Sequence, residues 1–371
     1  MTAELSNRIS IAYLIDNLGH GGGTENQLHT LVTHLDTSKF DPIIIALGRR
    51  FPDYNLSAPC EVIHLNWSRL LHWSSLSPFA RLIRILRKRQ VRILQLFFPD
   101  SRFIGLLAGL CARVPHIVVS RRDCHAHPGV RRRLIYLITS KLSGYCLVNS
   151  QAAKAIVLRQ EQFAPERVTV IPNSIAVINQ RLVKSTASKH TSDLVIGIVA
   201  NLRPVKRIDR FLRLAHRLSA EVDRFHIVGF GWPSDRQKYM NYAADLGIAH
   251  MVEFQHSLTD IADLLRAFSI GVLTSDAEGL SNALIEYAMC GLPAVAFDVG
   301  GNREVIQHGR TGWLAPPGRE DIMCYYIRLL IHWPELRHRM GHRAREHALS
   351  AFSIARMVNQ TESFYYQILQ Q

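Results

Sequence analysis

The sequence predicts an α/β protein built from two Rossmann-like domains, and three observations carry this prediction. The chain has 371 residues, which corresponds to about two domains of ordinary size. Hydrophobic residues make up 47% and charged residues 20%, a composition that indicates a globular protein and argues against a disordered one. In both halves, short apolar runs alternate with amphipathic stretches, which is the pattern of parallel sheets covered by helices on both faces.

The first half of the chain contains seven apolar runs of strand length. They are Ile9–Ile15, Pro42–Leu47, Glu61–Leu65, Val91–Phe97, His116–Ser120, Gly144–Asn149 and Val168–Pro172. Between several of them, apolar residues recur at helical spacing, as at Leu28, Leu31, Val32 and Leu35. These patterns predict one Rossmann-like domain over residues 1–176.

A polar segment without a clear hydrophobic period, residues 177–192, is predicted to be a linker. The second predicted domain spans residues 193–353 and has five strands. These are Leu194–Ala200, Arg224–Val228, Met251–Phe254, Ile270–Thr274 and Ala294–Phe297. Helical sequence then runs from about Ile322 to Leu369, with interruptions near Trp333-Pro334 and near Phe352.

The net charge of +14 is concentrated in the first half. Residues 1–185 hold 24 Lys and Arg against 11 Asp and Glu, whereas residues 186–371 hold 20 against 19. This asymmetry indicates either a solvated basic face or an anionic partner that meets the first half alone. The six cysteines show no metal-ligand spacing, the N-terminus has no basic leader, and the longest apolar stretch is about half the length of a membrane span. We therefore expect a cytoplasmic protein with reduced thiols.

The first candidate binding loop is Gly21-Gly22-Gly23-Thr24, directly after the first predicted strand. Thr24 is predicted to cap the following helix, with Gln27 completing a capping box. Glycines before a helix N-terminus let backbone N–H groups approach an anion. The loop lacks the third glycine of a dinucleotide fingerprint, which argues against that function. A plain strand-to-helix turn stays open as the alternative.

Two cations, Arg203 and Lys206, follow the first strand of the second domain. The carboxyl edge of a parallel sheet is where open α/β folds bind ligands, and this pair suits phosphate oxygens. Gly229 and Gly231, after the next strand, mark a second turn with room for backbone contacts to a nucleotide, which is a weak signal. The alternative for each is an ordinary surface position.

Two carboxylates, Glu278 and Glu286, flank the start of a predicted helix at residues 283–290. Between them, free backbone N–H groups of Gly279, Leu280, Ser281 and Asn282 are predicted to face an anion. Carboxylates accept hydrogen bonds from sugar hydroxyls. Asp276 and Glu278 are also a candidate metal pair, but no third ligand is apparent, and the D-x-D pair of metal-dependent sugar-nucleotide enzymes is absent. We therefore expect no bound metal and a diphosphate neutralised by side-chain cations.

These motifs together resemble glycosyltransferase family four. The resemblance rests on Arg203 with Lys206, Glu278-Gly-Leu-Ser-Asn-Ala-Leu-Ile-Glu286, Gly291-Leu-Pro293, Gly300-Gly301-x-x-Glu304, Thr311-Gly312 and, in the first half, Gly21–Thr24 and Val170-Ile171-Pro172-Asn173. It implies retaining enzymes of the GT-B fold, an α/β architecture of two Rossmann-like domains with a cleft between them. It also implies that a last helix, from about Ile354 to 371, crosses back onto the first domain.

The resemblance also implies residue roles. Arg203 and Lys206 would hold the leaving diphosphate, Glu278 the donor-sugar hydroxyls and Glu286 the ribose. The backbone of Gly279–Asn282, together with Gly22 and Gly23, would contact the phosphates. Many relatives have a histidine after the strand that ends here at Ser120, but this chain has Arg121-Arg122-Asp123, with His125 and His127 beyond. Whether Arg122 or one of these histidines takes that place is open.

The function predicted from these observations is transfer of a sugar, with retention, from a nucleotide-diphosphate sugar to an acceptor hydroxyl. A UDP-sugar is the favoured donor and GDP-mannose the alternative; no other cofactor and no nucleic acid is expected. The predicted acceptor is a lipid-linked or surface-polysaccharide glycan of a bacterium. A GT-B-fold sugar-nucleotide epimerase and a non-catalytic nucleic-acid-binding protein are the alternatives.

Basic residues interleaved with apolar ones predict that the first domain binds an anionic membrane. They are Arg81, Arg84, Arg87, Lys88 and Arg89 around Leu82, Ile83, Ile85 and Leu86, then Arg121-Arg122, then Arg131-Arg132-Arg133 before Leu134, Ile135, Leu137 and Ile138. The expected location is the inner face of the membrane. The alternative is that Leu82, Ile85 and Leu86 belong to the core.

Overall fold

The computed structural model describes residues 8–19, 22–49, 59–67, 72, 75–124, 130–175, 193–255 and 261–371, without the side chains of 130–132 and 262. Gly21, His125, His127, the side chains of Arg131 and Arg132, and the predicted linker at residues 177–192 lie outside this description. The chain divides into two compact units. The N-terminal unit is Met1–Asn173 with Ile354–Gln371, and the C-terminal unit is Ser174–Ser353.

The N-terminal unit is built on a seven-stranded parallel sheet in the order β3-β2-β1-β4-β5-β6-β7. The strands are β1 (Ile9–Ile15), β2 (Phe40–Ala46), β3 (Glu61–His64), β4 (Ile93–Leu96), β5 (His116–Arg121), β6 (Tyr145–Val148) and β7 (Val168–Val170). All seven predicted strands form, with ends within two residues of those predicted.

In the part of this unit that the structure describes, α-helices cover the two faces of the sheet. They are α1 (Gly23–His34), α2 (Leu76–Lys88), α3 (Pro99–Ala112), α4 (Val130–Leu142), α5 (Gln151–Ile156) and, from the end of the chain, α13 (Ile354–Leu369). Side chains alternate across β1, so Ile11 and Tyr13 pack in a core with α1 and α13, whereas Ala12 and Leu14 pack in a second core with α2 and α3. A strand buried on both faces explains why the apolar runs are continuous.

The C-terminal unit contains a six-stranded parallel sheet in the order β10-β9-β8-β11-β12-β13. Its strands are β8 (Val195–Val199), β9 (Arg224–Val228), β10 (Val252–Gln255), β11 (Ile270–Leu273), β12 (Ala294–Phe297) and β13 (Gly312–Ala315). The first five match the predicted strands within one residue. Strand β13 was not predicted, because its sequence begins with glycine and contains no β-branched residue.

The helices of this unit are α6 (Ile208–Leu218), α7 (Pro233–Asp245), α8 (Ile261–Arg266), α9 (Asn282–Met289), α10 (Asn302–Val305), α11 (Glu320–His332) and α12 (Pro334–Ala351). The predicted interruptions of the final helical region are confirmed. Pro334 begins α12 directly after α11 ends at His332, and Phe352 separates α12 from α13. Proline suits the first position of a helix because it has no N–H to leave unpaired.

Candidate active site

The segment that carries Arg203 and Lys206 leaves the carboxyl end of β8 as a short 3₁₀ turn, Pro204–Lys206. The Thr274 hydroxyl, just after β11, lies 3.0 Å from the carbonyl oxygens of both Lys206 and Arg207. The backbone N–H of Asp276 donates to the carbonyl of Val205 at 2.9 Å. Because β8 and β11 are neighbours in the sheet, these bonds fasten the cationic turn to the loop that holds Glu278.

Lys206 and Glu278 form an ion pair, with 2.6 Å between Nζ and Oε1. The Glu278 side chain is 8% exposed and that of Lys206 is 23% exposed, so the pair is only partly solvated. Arg203 is exposed, and within the described part of the chain its guanidinium has no hydrogen-bond or ion-pair partner. The structure thus brings the predicted cations and the first predicted acid to one edge of the sheet.

The loop that holds Glu278 is clamped by the Gly300-Gly301 motif. Gly300 has a φ of +52°, and a Cβ there would collide with the backbone of Glu278. The N–H of Gly301 lies 3.4 Å from the carbonyl oxygen of Glu278. Only glycine combines this backbone conformation with so close an approach, so the motif positions Glu278.

Asp276 belongs to a network of ion pairs and is not paired with Glu278. It accepts hydrogen bonds from Arg207, at 3.2 Å, and from Arg210. Arg207 also binds Asp209 through two parallel hydrogen bonds of 2.9 and 2.8 Å. Burial alone would raise the pKa of Asp209, but hydrogen bonds from its arginines outweigh that effect and lower its pKa to about 2. The acids of this loop therefore have cationic partners, and the metal-pair interpretation of Asp276 with Glu278 has no support in their contacts.

Helix α9 begins directly after Ser281, as the sequence predicts to within one residue. The Ser281 hydroxyl accepts from the N–H of Leu284 at 3.4 Å, and Leu280 and Ser281 are buried. The helix therefore has a side-chain cap, while the N–H groups of its first turn have no partner of their own within the helix.

Glu286 lies on the second turn of α9 and differs from Glu278 in its surroundings. It is half-buried, and no side chain or backbone group in the described residues bonds its carboxylate. Burial raises the pKa of Glu286 from its ordinary 4.5 to about 7. A desolvated carboxylate without a partner is the kind of group that a ligand with hydroxyl donors satisfies.

A cavity of about 200 Å³ opens beside the end of β9. It is lined by Leu202, Ile227, Gly229, Gly231, Pro233, Arg236, Phe254 and Gln255. At Gly229 a Cβ would collide with the carbonyl of Ala200, so glycine is required by the close approach of the two strand ends. Of this lining, the two glycines were predicted from the sequence, whereas Arg236 and Phe254 were not, because no local motif marks them.

In the N-terminal unit, the predicted cap of α1 is wrong. The helix begins at Gly23 with Gly22 at the N-cap, and no side chain caps it, so Thr24 is already inside the helix. A Cβ on Gly22 would meet the carboxylate of Glu25, which folds back toward the start of the helix. A glutamate at the third helical position commonly reaches back in this way, so Glu25 is a local signal for the start of this helix.

Comparison with known proteins agrees with this arrangement. Residues 180–347 match the family model of glycosyl transferases group 1, and residues 21–177 match that of glycosyltransferase family 4. The two models together account for most of the chain. The chain belongs to glycosyltransferase family 4.

Two relatives and one solved structure are similar to this chain. The chain is 31% identical over 179 residues to N-acetyl-alpha-D-glucosaminyl L-malate synthase of Bacillus anthracis, covering 48% of this chain and 46% of the synthase, about half of its length. It is 23% identical over 306 residues to UDP-Gal:alpha-D-GlcNAc-diphosphoundecaprenol alpha-1,3-galactosyltransferase of Escherichia coli, covering 76% and 77%. The crystal structure of Anabaena HepE in complex with UDP and glucose superimposes with a TM-score of 0.82 at 18% identity, over 97% of this chain and all of that one, and so shares its GT-B fold.

The two arginines at the end of β5, Arg121 and Arg122, have different surroundings. Arg121 is buried and pairs with Glu161 at 2.9 Å between Nη1 and Oε1. Arg122 has the opposite environment: it is half-buried, and its Nη1 donates to Oδ1 of Asn173 at 3.0 Å. Arg121 therefore forms a buried ion pair, whereas Arg122 donates to a neutral amide, and the adjacent charges in the sequence do not reveal this difference.

Proposed function

We propose that this family 4 glycosyltransferase moves a sugar from a nucleotide-diphosphate sugar to an acceptor hydroxyl with retention and without a divalent metal. The observation that carries the proposal is the Lys206–Glu278 pair, together with the guanidinium of Arg203 three residues earlier, which has no partner among the described residues. These groups supply cations for a leaving diphosphate and a carboxylate for sugar hydroxyls at one edge of the sheet.

The proposed reaction is a front-face substitution. The bond between the anomeric carbon and the diphosphate oxygen breaks, and the acceptor oxygen bonds to the same face of the sugar. The acceptor proton passes to the departing phosphate oxygen, so no protein base is required. Lysine has three N–H donors, so Lys206 can keep its bond to Glu278 and still donate to the diphosphate. Each well-placed donor lowers the barrier by about 3–4 kcal/mol.

The proposed donor is a UDP-sugar, with GDP-mannose as the alternative. Glu286 supports a nucleotide site, because its carboxylate is unpartnered within the described residues and suits the paired hydroxyls of a ribose. The cavity beside Gly229 supplies further volume at the same edge of this sheet. The complex of HepE with UDP and glucose favours uridine as the base.

A direct test measures sugar transfer with the purified chain and a panel of UDP- and GDP-sugars. We expect turnover to persist in a chelator, and Arg203→Ala and Lys206→Ala each to lower it by about two to three orders of magnitude. Arg343→Ala, which removes an exposed arginine of α12, serves as a matched loss of charge outside the proposed site. Activity that vanishes in chelator and returns with manganese would contradict the metal-free reaction. An inverted product anomer by NMR would contradict retention.

We further propose that the N-terminal unit rests on the anionic inner face of a membrane, where a lipid-linked acceptor is presented. The support is the outer face of α4, where Leu134, Ile138 and Leu142 are 56%, 46% and 51% exposed. The buried residues of the same helix are Thr139 and Ser140 beside Tyr136, so α4 exposes apolar side chains while it buries polar ones.

The basic helix α2 does not contribute an apolar face of this kind. Leu82 and Leu86 are buried and Ile85 packs against the same core, as the alternative interpretation held. No helix in the described residues is long and apolar enough to cross a membrane. Attachment would therefore combine the apolar stripe of α4 with the excess of Lys and Arg in this half, at about 1 kcal/mol per cation near anionic lipid.

Sedimentation with vesicles tests this attachment. We expect binding to anionic vesicles that weakens with salt, and loss of most binding in a Leu134→Ser, Ile138→Ser double variant. Leu76→Ser is the control, because Leu76 is 62% exposed but lies on α2. Equal binding of the double variant and the wild type would refute the α4 surface.

A further inference from the structure

The N-terminal unit holds an arginine, Arg122, that forms no ion pair with any of the described residues. Arg122 follows β5 at the carboxyl edge of the sheet, where open α/β folds bind ligands. Its Nη1 donates to the neutral amide oxygen of Asn173 at 3.0 Å, and its backbone carbonyl lies 3.3 Å from Nδ2 of Asn149. Within the described residues, no carboxylate forms an ion pair with it.

The neighbouring arginines show what a structural arginine looks like in this unit. Arg102 and Arg121 share the buried carboxylate of Glu161, at 2.7 and 2.9 Å. Both guanidinium groups also lie over the ring of Tyr136, at 4.4 and 5.2 Å from its centre. The buried carboxylate of Glu161 is thus paired with two arginines other than Arg122.

The polar side chains near Arg122 already form hydrogen bonds with one another. Gln95 donates to the Ser120 hydroxyl at 2.8 Å and accepts from the Tyr365 hydroxyl at 2.6 Å. The guanidinium lies 5.9 Å from the centre of the Phe97 ring. Arg122, Gln95, Ser120 and Phe97 all line one cavity of about 20 Å³, which is large enough for a water molecule and too small for a sugar. A substrate group must therefore meet Arg122 at its exposed part.

Burial of this cation is unfavourable when no ion pair neutralises it, and none is formed among the described residues. Burial lowers the pKa of Arg122 to about 10, and the electrostatic effects of Tyr365 and Glu25 offset only part of this shift. A partly desolvated cation is stabilised when a ligand brings an anion. The planar guanidinium is suited to the two oxygens of a carboxylate or a phosphate.

We propose that Arg122 is a specificity-determining residue that binds an oxyanion, a carboxylate or phosphate, carried by one of the two sugar substrates. This inference rests on the proposed glycosyl transfer. The oxyanion has two chemical sources: an acidic group on the transferred sugar, or a phosphate that links the acceptor glycan to its carrier. The consequence is a preference for the acid-bearing substrate over its neutral counterpart.

Calorimetric titration of the full chain distinguishes the two sources. The donor arm compares UDP-glucuronic acid with UDP-glucose, which differ in one carboxylate. The acceptor arm compares N-acetylglucosamine linked to a short prenyl diphosphate with its methyl glycoside. In one arm we expect Arg122→Gln to lower the affinity for the acid-bearing probe by about ten- to a hundredfold and the affinity for the neutral probe by less than about twofold. Arg167→Gln, which removes an exposed arginine of the same unit, should change neither affinity.

Arg122→Lys is a second variant, for the case that Arg122→Gln does not fold. It keeps the positive charge and loses only the planar guanidinium group. It should weaken the acid-bearing probe by a smaller factor than Arg122→Gln. Unchanged affinities in both arms, or equal weakening of acidic and neutral probes, would overturn the inference. Equal weakening of UDP itself would assign Arg122 to the nucleotide diphosphate and would also overturn it. Because binding is measured without turnover, an Arg122-dependent preference in a chain that transfers no sugar would refute only the proposed function.

Discussion

Replacement of Glu286 by glutamine should stabilise the free protein and weaken its binding of nucleotide sugar. Burial raises the pKa of Glu286 from 4.5 to about 7, which corresponds to a penalty of about 3 kcal/mol when the group is ionised. Partial exposure reduces this penalty, so we expect the free energy of unfolding of Glu286→Gln to exceed that of the wild type by about 1–3 kcal/mol at pH 8.

The pH dependence of this difference has a definite sign. Between pH 4.5 and pH 7 the folded protein keeps a proton on Glu286 that the unfolded chain releases. Wild-type stability therefore falls as pH rises through this range, relative to the variant, and the difference is constant above about pH 7. Chemical or thermal unfolding at pH 5 and pH 8 measures it, with a rise in Tm of about 2–8 °C expected at pH 8.

Binding should change in the opposite direction. Only the ionised carboxylate accepts hydrogen bonds from two ribose hydroxyls, so the wild-type affinity for UDP-glucose should fall as pH drops below about 7, by up to about tenfold per pH unit. UDP-glucose is the better probe, since its diphosphate has no proton to lose in this range. Glu286→Gln should bind about ten- to a hundredfold more weakly at pH 8, without this pH dependence.

The exposed Glu335 on α12 gives a matched control, because Glu335→Gln removes the same charge from a surface position. That variant should change stability by less than about 1 kcal/mol and leave binding unaltered. A Glu286→Gln protein that is less stable than the wild type at pH 8, or that binds UDP-glucose equally well, would refute the reasoning.

Two further changes test the packing of each unit. Glu161→Gln leaves two buried arginines without their shared carboxylate and should destabilise the N-terminal unit by about 3–5 kcal/mol in denaturant unfolding. Glu166→Gln, on the surface, should have little effect. Similar stabilities of the two variants would disprove a role for the buried ion pairs. Gly229→Ala forces a Cβ against the backbone of Ala200 and should lower the free energy of unfolding by about 1–3 kcal/mol. Gly144→Ala, whose Cβ would have ordinary contact distances, should be tolerated. Equal melting temperatures of the two variants would show that the strand ends can separate.

The order of strands and helices was predictable because each signal is local. An apolar run buried on both faces, such as Ile9–Ile15, is recognisable from its own residues, and so is a helix broken by Pro334. The motif that contains Arg203 and Lys206 was likewise readable from spacing. The short strand β13 escaped because its partner, β12, rather than its own composition, decides its conformation.

The pairing of charges was beyond the reach of the sequence. Glu278 and Glu286 are eight residues apart and look equivalent, yet one is bonded to Lys206 and the other has no partner in the described residues. The adjacent Arg121 and Arg122 differ in the same way. The interaction between two charges depends on their distance and on exposure to water, and both are set by residues distant in the sequence.

The amino-acid sequence by itself determined the α/β architecture, the boundaries of most strands, the family and the candidate residues. These follow from hydrophobic period, turn residues and motif order, which act over a few neighbouring positions. Only the tertiary structure decided that α4 presents an apolar face outward, that Asp276 is paired with arginines and that Glu286 and Arg122 keep unneutralised charges among the described residues. Those properties depend on which side chains folding places together, because burial and ion pairing are made by contacts between distant parts of the chain.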